Sequence, residues 1–313
     1  MNDILNRKEY KFLKKVNNIV LLTFGGSIAY GTNIETSDID LRGCSLNSKE
    51  EILLGKDFKQ KVYNETDTTI YSFNKFIKLL TNVNPNIIEM LGCKPEHYLI
   101  LTDIGKQLID NKHMFLSKKV ASSFGGYANQ QLRRLENALS ISNKNVHIKR
   151  SLDRKISNLP IKDYRIYEKD NQLFIDINLK KYSLYNFSVL ASDISNVVNN
   201  YSKLNKTNNK KDDVHLNKHM MHLMRLYLMC FDILEKEEIN TYRKNDIDFL
   251  MSIRKGKYLH DGKIDMEFFD IINEYEKRLL YDINNTSLPE QPNMNLINEF
   301  RMDINSKIID WSK

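Results

Sequence analysis

Cysteine is scarce in this chain: Cys44, Cys93 and Cys230 are the only three among 313 residues, and they stand far apart. An odd number without a CxxC pair gives neither a disulfide framework nor a zinc knuckle. A reducing cytoplasm is the expected setting. Long apolar runs are missing too. None approaches the roughly 18 residues that span a bilayer, so no membrane partner is expected. The start, MNDILNRKEYKFLKK, has no apolar core followed by a small-residue cleavage site, and so does not read as a secretory signal. Internal repeats are absent. What remains is an ordinary globular composition, 41% hydrophobic and 28% charged, long enough for one large domain or two modest ones.

Acidic residues are outnumbered. The net charge is +7 and the isoelectric point about 9.0. A basic surface attracts polyphosphates and nucleic acids. The Lys, Asn and Ile enrichment of an AT-rich genome would produce the same excess, so charge alone does not choose a function.

The pattern of residues predicts a mixed α/β unit over 1–115, followed by a mostly helical part over 116–313. In the first, residues 3–18 read as an amphipathic helix and IVLLTF (19–24) as a buried strand that runs into Gly25-Gly26. A helix is expected from Ser27, a second strand over 38–46 and a third over 62–73. Helical spacing follows over 72–82, closed by Pro85, with another short helix over 86–93. The second part is expected to hold helices over 117–142, 215–239, 264–283 and 294–311. A β-hairpin near 164–179 interrupts them, and a flexible loop lies near 201–213.

The stretch VLLTFGGSIAYGTNIETSDIDLRG (20–43) carries the chemistry. A strand that turns through Gly25-Gly26-Ser27 into a helix can cradle an anion, because glycines let the backbone approach a phosphate and Ser27 adds a hydroxyl donor. In a strand, Asp38 and Asp40 would point to one face about 6–7 Å apart, with Ile39 and Leu41 entering the core. Two such carboxylates repel, and a divalent cation relieves the repulsion. Magnesium favours one or two carboxylates plus substrate phosphate oxygens. Asp67 in NETDTTIY supplies a third carboxylate, with Glu65 two residues before it. Three carboxylates can hold two metals for an in-line displacement.

GGSIAYGTNIETSDIDLRG resembles the glycine–serine signature of the DNA polymerase β-like nucleotidyltransferases, and most closely the RlaP or YcgL-like group linked to RNA repair. DTTIYSFNKFIKLLTNVNPNIIEML, FGGYANQQLRRLE, KHMMHLMRLYLMCFDILE and SLPEQPN have counterparts there in the same order. The resemblance covers most of 19–140 and 215–311 and does not extend to 143–213. It implies an α/β (α+β) palm with a helical C-terminal half. Gly25, Gly26 and Ser27 would bind an NTP. Asp38, Asp40 and Asp67 would bind two Mg²⁺ ions, with Mn²⁺ as a substitute, and Asp67 would be the general base.

Other candidates lie on helices. Lys218, His222 and Arg225 fall on one stripe that could grip a phosphate, or form the solvated edge of an ordinary helix. His215, His219 and His222 have zinc-ligand spacing but no evident fourth ligand. Tyr127, Gln131 and Arg134 could line a cleft or pack between helices. Tyr30 and Arg42 flank the motif, and Arg42 could steady a carboxylate or form a surface ion pair. Sixteen tyrosines would allow base stacking, but the sequence does not place them on a surface. The expected activity is transfer of a nucleoside monophosphate from an NTP to a hydroxyl, with an RNA 3′ end as the first acceptor. A protein side chain, an oligonucleotide signal and an inactive nucleotide- or RNA-binding module are the alternatives. Oligomeric state is not legible.

Overall fold

The computed structural model describes residues 4–16, 18–56, 58–139, 144–157, 159–161, 163–202, 212–260 and 263–310. The fold is α/β, with a five-stranded sheet in the N-terminal half and helices dominating the rest. The chain divides into two compact units. The first gathers Met1–Ala128, Met224–Met251 and Lys277–Lys313, and the second Asn129–Leu223 and Ser252–Glu276.

The first unit is built on strands β1 (Ile19–Phe24), β2 (Leu41–Ser45), β3 (Gln60–Tyr63), β4 (Thr68–Ser72) and β5 (Tyr98–Leu101). Their order across the sheet is β3-β4-β2-β1-β5. β1 runs antiparallel to β2 and β5, β2 parallel to β4, and β4 antiparallel to β3. All six residues of β1 are buried, which explains a continuous apolar run in place of alternation. Leu22, Phe24, Leu41 and Ile70 share a cluster with Ile4, Tyr10, Leu13 and Val16.

The N-terminal segment departs from the expected amphipathic α-helix. It forms two 3₁₀ segments, Ile4–Asn6 and Lys8–Lys15. The buried residues Tyr10, Leu13 and Val16 recur every three positions, the period at which 3₁₀ side chains line up.

Two strand expectations also change. Asp38 and Asp40 precede β2, which begins at Leu41. The single strand expected over 62–73 is a hairpin in which β3 turns through the 3₁₀ segment Asn64–Thr66 and Asp67 into β4. The polar run NETD makes that turn, and Asp67 takes the left-handed conformation, φ 40°, that Asp tolerates better than most residues.

Short helices connect the strands, α1 (Gly26–Tyr30), α2 (Lys49–Leu54), α3 (Phe73–Thr81) and α4 (Pro85–Ile88), and α5 (Asp103–Asp110) follows the last of them. Ser48 and Glu51 form a capping box on α2, and Ser72 caps α3. Pro85 opens α4 under an Asn84 cap, the helix position where a missing N–H costs nothing.

The larger helices are α6 (Lys119–Leu139), α7 (Lys144–Ser157), α8 (Leu184–Ser202), α9 (Asp213–Lys236), α10 (Ile247–Arg254), α11 (Met266–Asn285) and α12 (Met294–Asp310). In the second unit, β6 (Tyr164–Lys169) and β7 (Gln172–Ile177) form the expected hairpin. Asp170 and Asn171 both have positive φ, as a two-residue hairpin turn requires. Ile148, Leu152 and Ile156 of α7 pack with Ile166 of β6 and with Leu190 and Val197 of α8. Most of the loop expected near 201–213 lies outside the described residues.

Candidate active site

Asp40 and Asp67 meet because their strands are parallel and in register. Leu41 is the partner of Thr68, so the residues just before them stand side by side at the entry to β2 and β4. The Leu41 N–H donates to the Asp67 carbonyl at 3.1 Å, which fixes this end of the sheet. The Gly25 N–H donates to the Asp40 carbonyl at 2.8 Å and ties the end of β1 to the same place.

Gly26 sits at φ 55°, and a side-chain carbon on it would overlap Asp40 Oδ2. Glycine is therefore needed here by the carboxylate, and not only for the approach of a phosphate. The Gly25 amide, expected to face a ligand, is used by Asp40 instead. Ser27 lies half-buried in the first turn of α1.

Arg42 binds this pair together. Its Nη1 donates to the Asp67 carbonyl at 2.8 Å and lies 3.4 Å from Asp67 Oδ1, while Nη2 lies 3.6 Å from Asp40 Oδ1. Burial pushes the Asp40 carboxyl up to about 7, helped by its hydrogen bond to Asp67 and by the charges of Asp67 and Asp38; Arg42 opposes the shift. The hydrogen bond from Asp40 holds Asp67 below its ordinary value, assisted by Arg42 and opposed by partial burial. The two carboxyls therefore share a proton near neutrality and titrate as a pair. Asp38 is exposed in the loop ahead of them, and of the groups raising the Asp40 pKa its charge contributes least. The expected i, i+2 alternation of Asp38 and Asp40 on a strand is not what brings carboxylates together; strand register does that for Asp40 and Asp67.

Arg225 meets a different environment from the phosphate site expected of it. It is 1% exposed, its Nη1 donates to Glu89 Oε2 at 3.0 Å, and its guanidinium lies 3.6 Å from the centre of the Tyr30 ring. The Tyr30 hydroxyl donates to the same Glu89 oxygen at 2.7 Å. Since Tyr30 ends α1, this buried triad holds the helix that begins with Gly26-Ser27. Sequence reasoning did not single out Glu89, although an acid inside the apolar run NIIEML was a signal that a buried partner exists.

Lys218 is exposed and His222 half-buried, both on the part of α9 that belongs to the second unit. His215 Nδ1 pairs with Asp212 at 2.7 Å, and His219 Nδ1 with Gln131 Oε1 at 2.8 Å. The Tyr127 hydroxyl accepts from Asn84 Nδ2 at 2.9 Å. The Arg134 side chain lies outside what is described.

Among the described residues no group of three or more His, Cys, Asp or Glu side chains is placed to hold a metal ion. The donors gathered here are therefore two, Asp40 and Asp67. Two hard carboxylates that already share one positive charge, in the form of a proton, suit Mg²⁺, which completes its shell with water and phosphate oxygens.

Residues 2–152 match the model of the RNA repair pathway DNA polymerase beta family, RlaP. Over these residues, just under half of the chain, the protein is similar to that family. Over 125 residues the chain is also 30% identical to an uncharacterized 38.9 kDa protein in the nrdC-mobD intergenic region of Enterobacteria phage T4. The aligned part is 36% of this chain and 37% of that relative, so the match spans little more than a third of either. No solved structure matches the chain. The RlaP match takes in β1 to β5 and with them Gly25, Gly26, Ser27, Asp38, Asp40 and Asp67. Residues 153–313, including all of α9, lie outside it. Among the described residues no helix is long and apolar enough to cross a membrane.

Proposed function

We propose that the chain is a Mg²⁺-dependent nucleotidyltransferase that moves a nucleoside monophosphate from an NTP to a hydroxyl, with an RNA 3′ end as acceptor, and releases pyrophosphate. The observation that carries this reading is the Asp40–Asp67 pair, two carboxylates held together by strand register and sharing a proton beside Gly26 and Ser27. A purely structural surface pair has no need to bury a carboxyl until its pKa nears 7. The RlaP family match over the same residues supports the reaction class and the RNA acceptor.

Bound Mg²⁺ would supply charge stabilisation for the transferring phosphoryl group. Asp40 and Asp67 would hold it, with Asp38 free to add a ligand from its exposed loop. The first-turn amides of Gly26 and Ser27 have no carbonyl one helical turn earlier to bond within α1. They and the Ser27 hydroxyl would hold the triphosphate. Asp67 is the carboxylate to receive the proton of the attacking hydroxyl. Loss of the proton on Asp40 removes the hydrogen bond that depresses Asp67, and so makes Asp67 a stronger base. Arg42 keeps both carboxylates in place throughout.

The test is incubation with Mg²⁺ and each α-labelled NTP and dNTP in turn, with and without RNA, beside Asp40→Asn. Label on RNA with the wild type alone is the expected result. An Asp40→Asn variant that keeps more than about a tenth of the rate overturns the carboxylate reading, since loss of a metal ligand should cost several kcal/mol. Label on protein, or in a soluble product made without RNA, keeps the site and changes the acceptor.

A further inference from the structure

The second unit carries a feature that the transfer site does not use. Residues 129–223 hold 17 of the 47 Lys and Arg but only 9 of the 40 Asp and Glu, which leaves 30 basic against 31 acidic residues elsewhere. The whole excess of positive charge therefore resides in this one segment, contrary to the even spread that genome composition would give.

The hairpin β6–β7 lies inside it. Its two faces differ sharply. Tyr164, Ile166, Leu173, Ile175 and Ile177 face the α7–α8 cluster. The alternate residues Arg165, Tyr167, Lys169, Gln172, Phe174 and Asp176 make up the other face. Cross-strand register sets Tyr167 directly opposite Phe174 and Arg165 opposite Asp176. The Tyr167 and Phe174 rings are stacked, 5.7 Å between centroids and 19° apart. The Arg165 guanidinium lies 5.4 Å from the Tyr167 ring centre. The result is a ladder of three planar groups, Arg165, Tyr167 and Phe174, standing on the side of the hairpin away from the core. Phe174 is 41% exposed, and among the described residues no further ring or cation covers it.

An open-ended stack of planar groups within a basic segment matches the chemistry of unpaired bases on a phosphate chain. Bases stack on aromatic and guanidinium planes whatever their identity, and cations neutralise the backbone. An apolar peptide would gain nothing from Arg165 and Lys169, and a folded duplex would hide its base faces from the ladder. We propose that the outer face of the β6–β7 hairpin is a stacking platform for single-stranded RNA, with a base extending the ladder on Phe174 and with Arg165 and Lys169 beside its phosphates. This rests on the reading of RNA as the acceptor and adds the surface that holds it.

The experiment measures binding of a fluorescein-labelled single-stranded oligoribonucleotide by anisotropy at two salt concentrations. It compares the full-length wild type, the double variant Tyr167→Ala/Phe174→Ala and the ring-preserving double variant Tyr167→Phe/Phe174→Tyr. NTP binding is measured alongside. The alanine variant should bind RNA about ten-fold or more weakly, the range lost with a stacked base, with NTP binding unchanged. The ring-preserving variant should bind within about two-fold of wild type. Equal RNA binding by the wild type and the alanine variant overturns the platform and leaves the RNA acceptor standing. A ring-preserving variant as weak as the alanine variant also overturns it, since ring faces would not be what matters. A wild type that binds NTP but no RNA overturns both the platform and the RNA acceptor.

Discussion

The carboxylate of Asp40 occupies the space that a side chain on Gly26 would need. The two residues are 14 apart in the sequence but form one unit, because the Gly25 N–H holds the Asp40 carbonyl. Gly26→Ala therefore does two things. It strains a backbone at φ 55°, at a cost of about 1–3 kcal/mol, and it drives Asp40 away from Asp67. The expected outcome is an unfolding free energy, read from urea denaturation, lowered by that amount, and labelled transfer reduced by about 100-fold or more. Ser27→Ala should leave stability within about 0.5 kcal/mol and weaken NTP binding. Full transfer by Gly26→Ala would show that the placement of Asp40 is not what the reaction needs.

The Asp40 carboxyl, raised to about 7, ties stability to pH. A folded-state pKa above the unfolded one means that the folded protein holds a proton that the unfolded chain has released. That stability is fully present below about pH 4 and is lost as pH rises through about 7. Metal-free protein should show Tm falling over this window, and Asp40→Asn should flatten part of the fall. The variant is needed as the comparison because Asp282, raised to about 6 by burial and by Glu235, contributes with the same sign. Mg²⁺ held by this pair, as proposed, would compete with the shared proton, so millimolar Mg²⁺ should raise Tm more at pH 8 than at pH 6. Thermal melts with and without Mg²⁺ at both values check this. An equal Mg²⁺ effect at both, or one surviving in Asp40→Asn, would place the ion elsewhere.

Much of this site is legible in the sequence for one physical reason: its parts are local. IVLLTF followed by two glycines announces β1 and the turn, since a short buried strand must be apolar throughout and the turn must tolerate positive φ. The hairpin of 164–179 is equally plain, because alternation and the Asp170-Asn171 turn are short-range signals. What misled was geometry that depends on pairing. TSDIDLRG contains Asp40, one of the paired carboxylates, but where a strand begins is set by its neighbours, and β2 starts only where Leu41 meets Thr68. The pairing of Asp40 with Asp67 follows from parallel register, to which no local pattern points. The surroundings of Arg225 are hidden from the sequence for a related reason. A helical stripe of Lys218, His222 and Arg225 shows which residues share a face, but not that the last meets an acid 136 residues away in the sequence.

That buried pair permits a decisive comparison. Arg225 and Glu89 are 1% and 6% exposed along their side chains, so removal of either partner strands a charge in the core. Arg225→Met and Glu89→Gln should each cost about 3–5 kcal/mol in urea denaturation. The double variant should cost clearly less than their sum, because neither charge is then left alone. Tyr30→Phe, which removes one hydrogen bond to Glu89, should cost about 1 kcal/mol. A phosphate ligand would behave in the opposite way. It would leave the urea midpoint near that of the wild type and raise the NTP concentration needed for half-maximal transfer, with no dependence on residue 89. Coupling in stability therefore identifies Arg225 as the residue that anchors α1 from behind. Its absence, together with weakened NTP binding, would return Arg225 to the phosphate site that its helical stripe suggests.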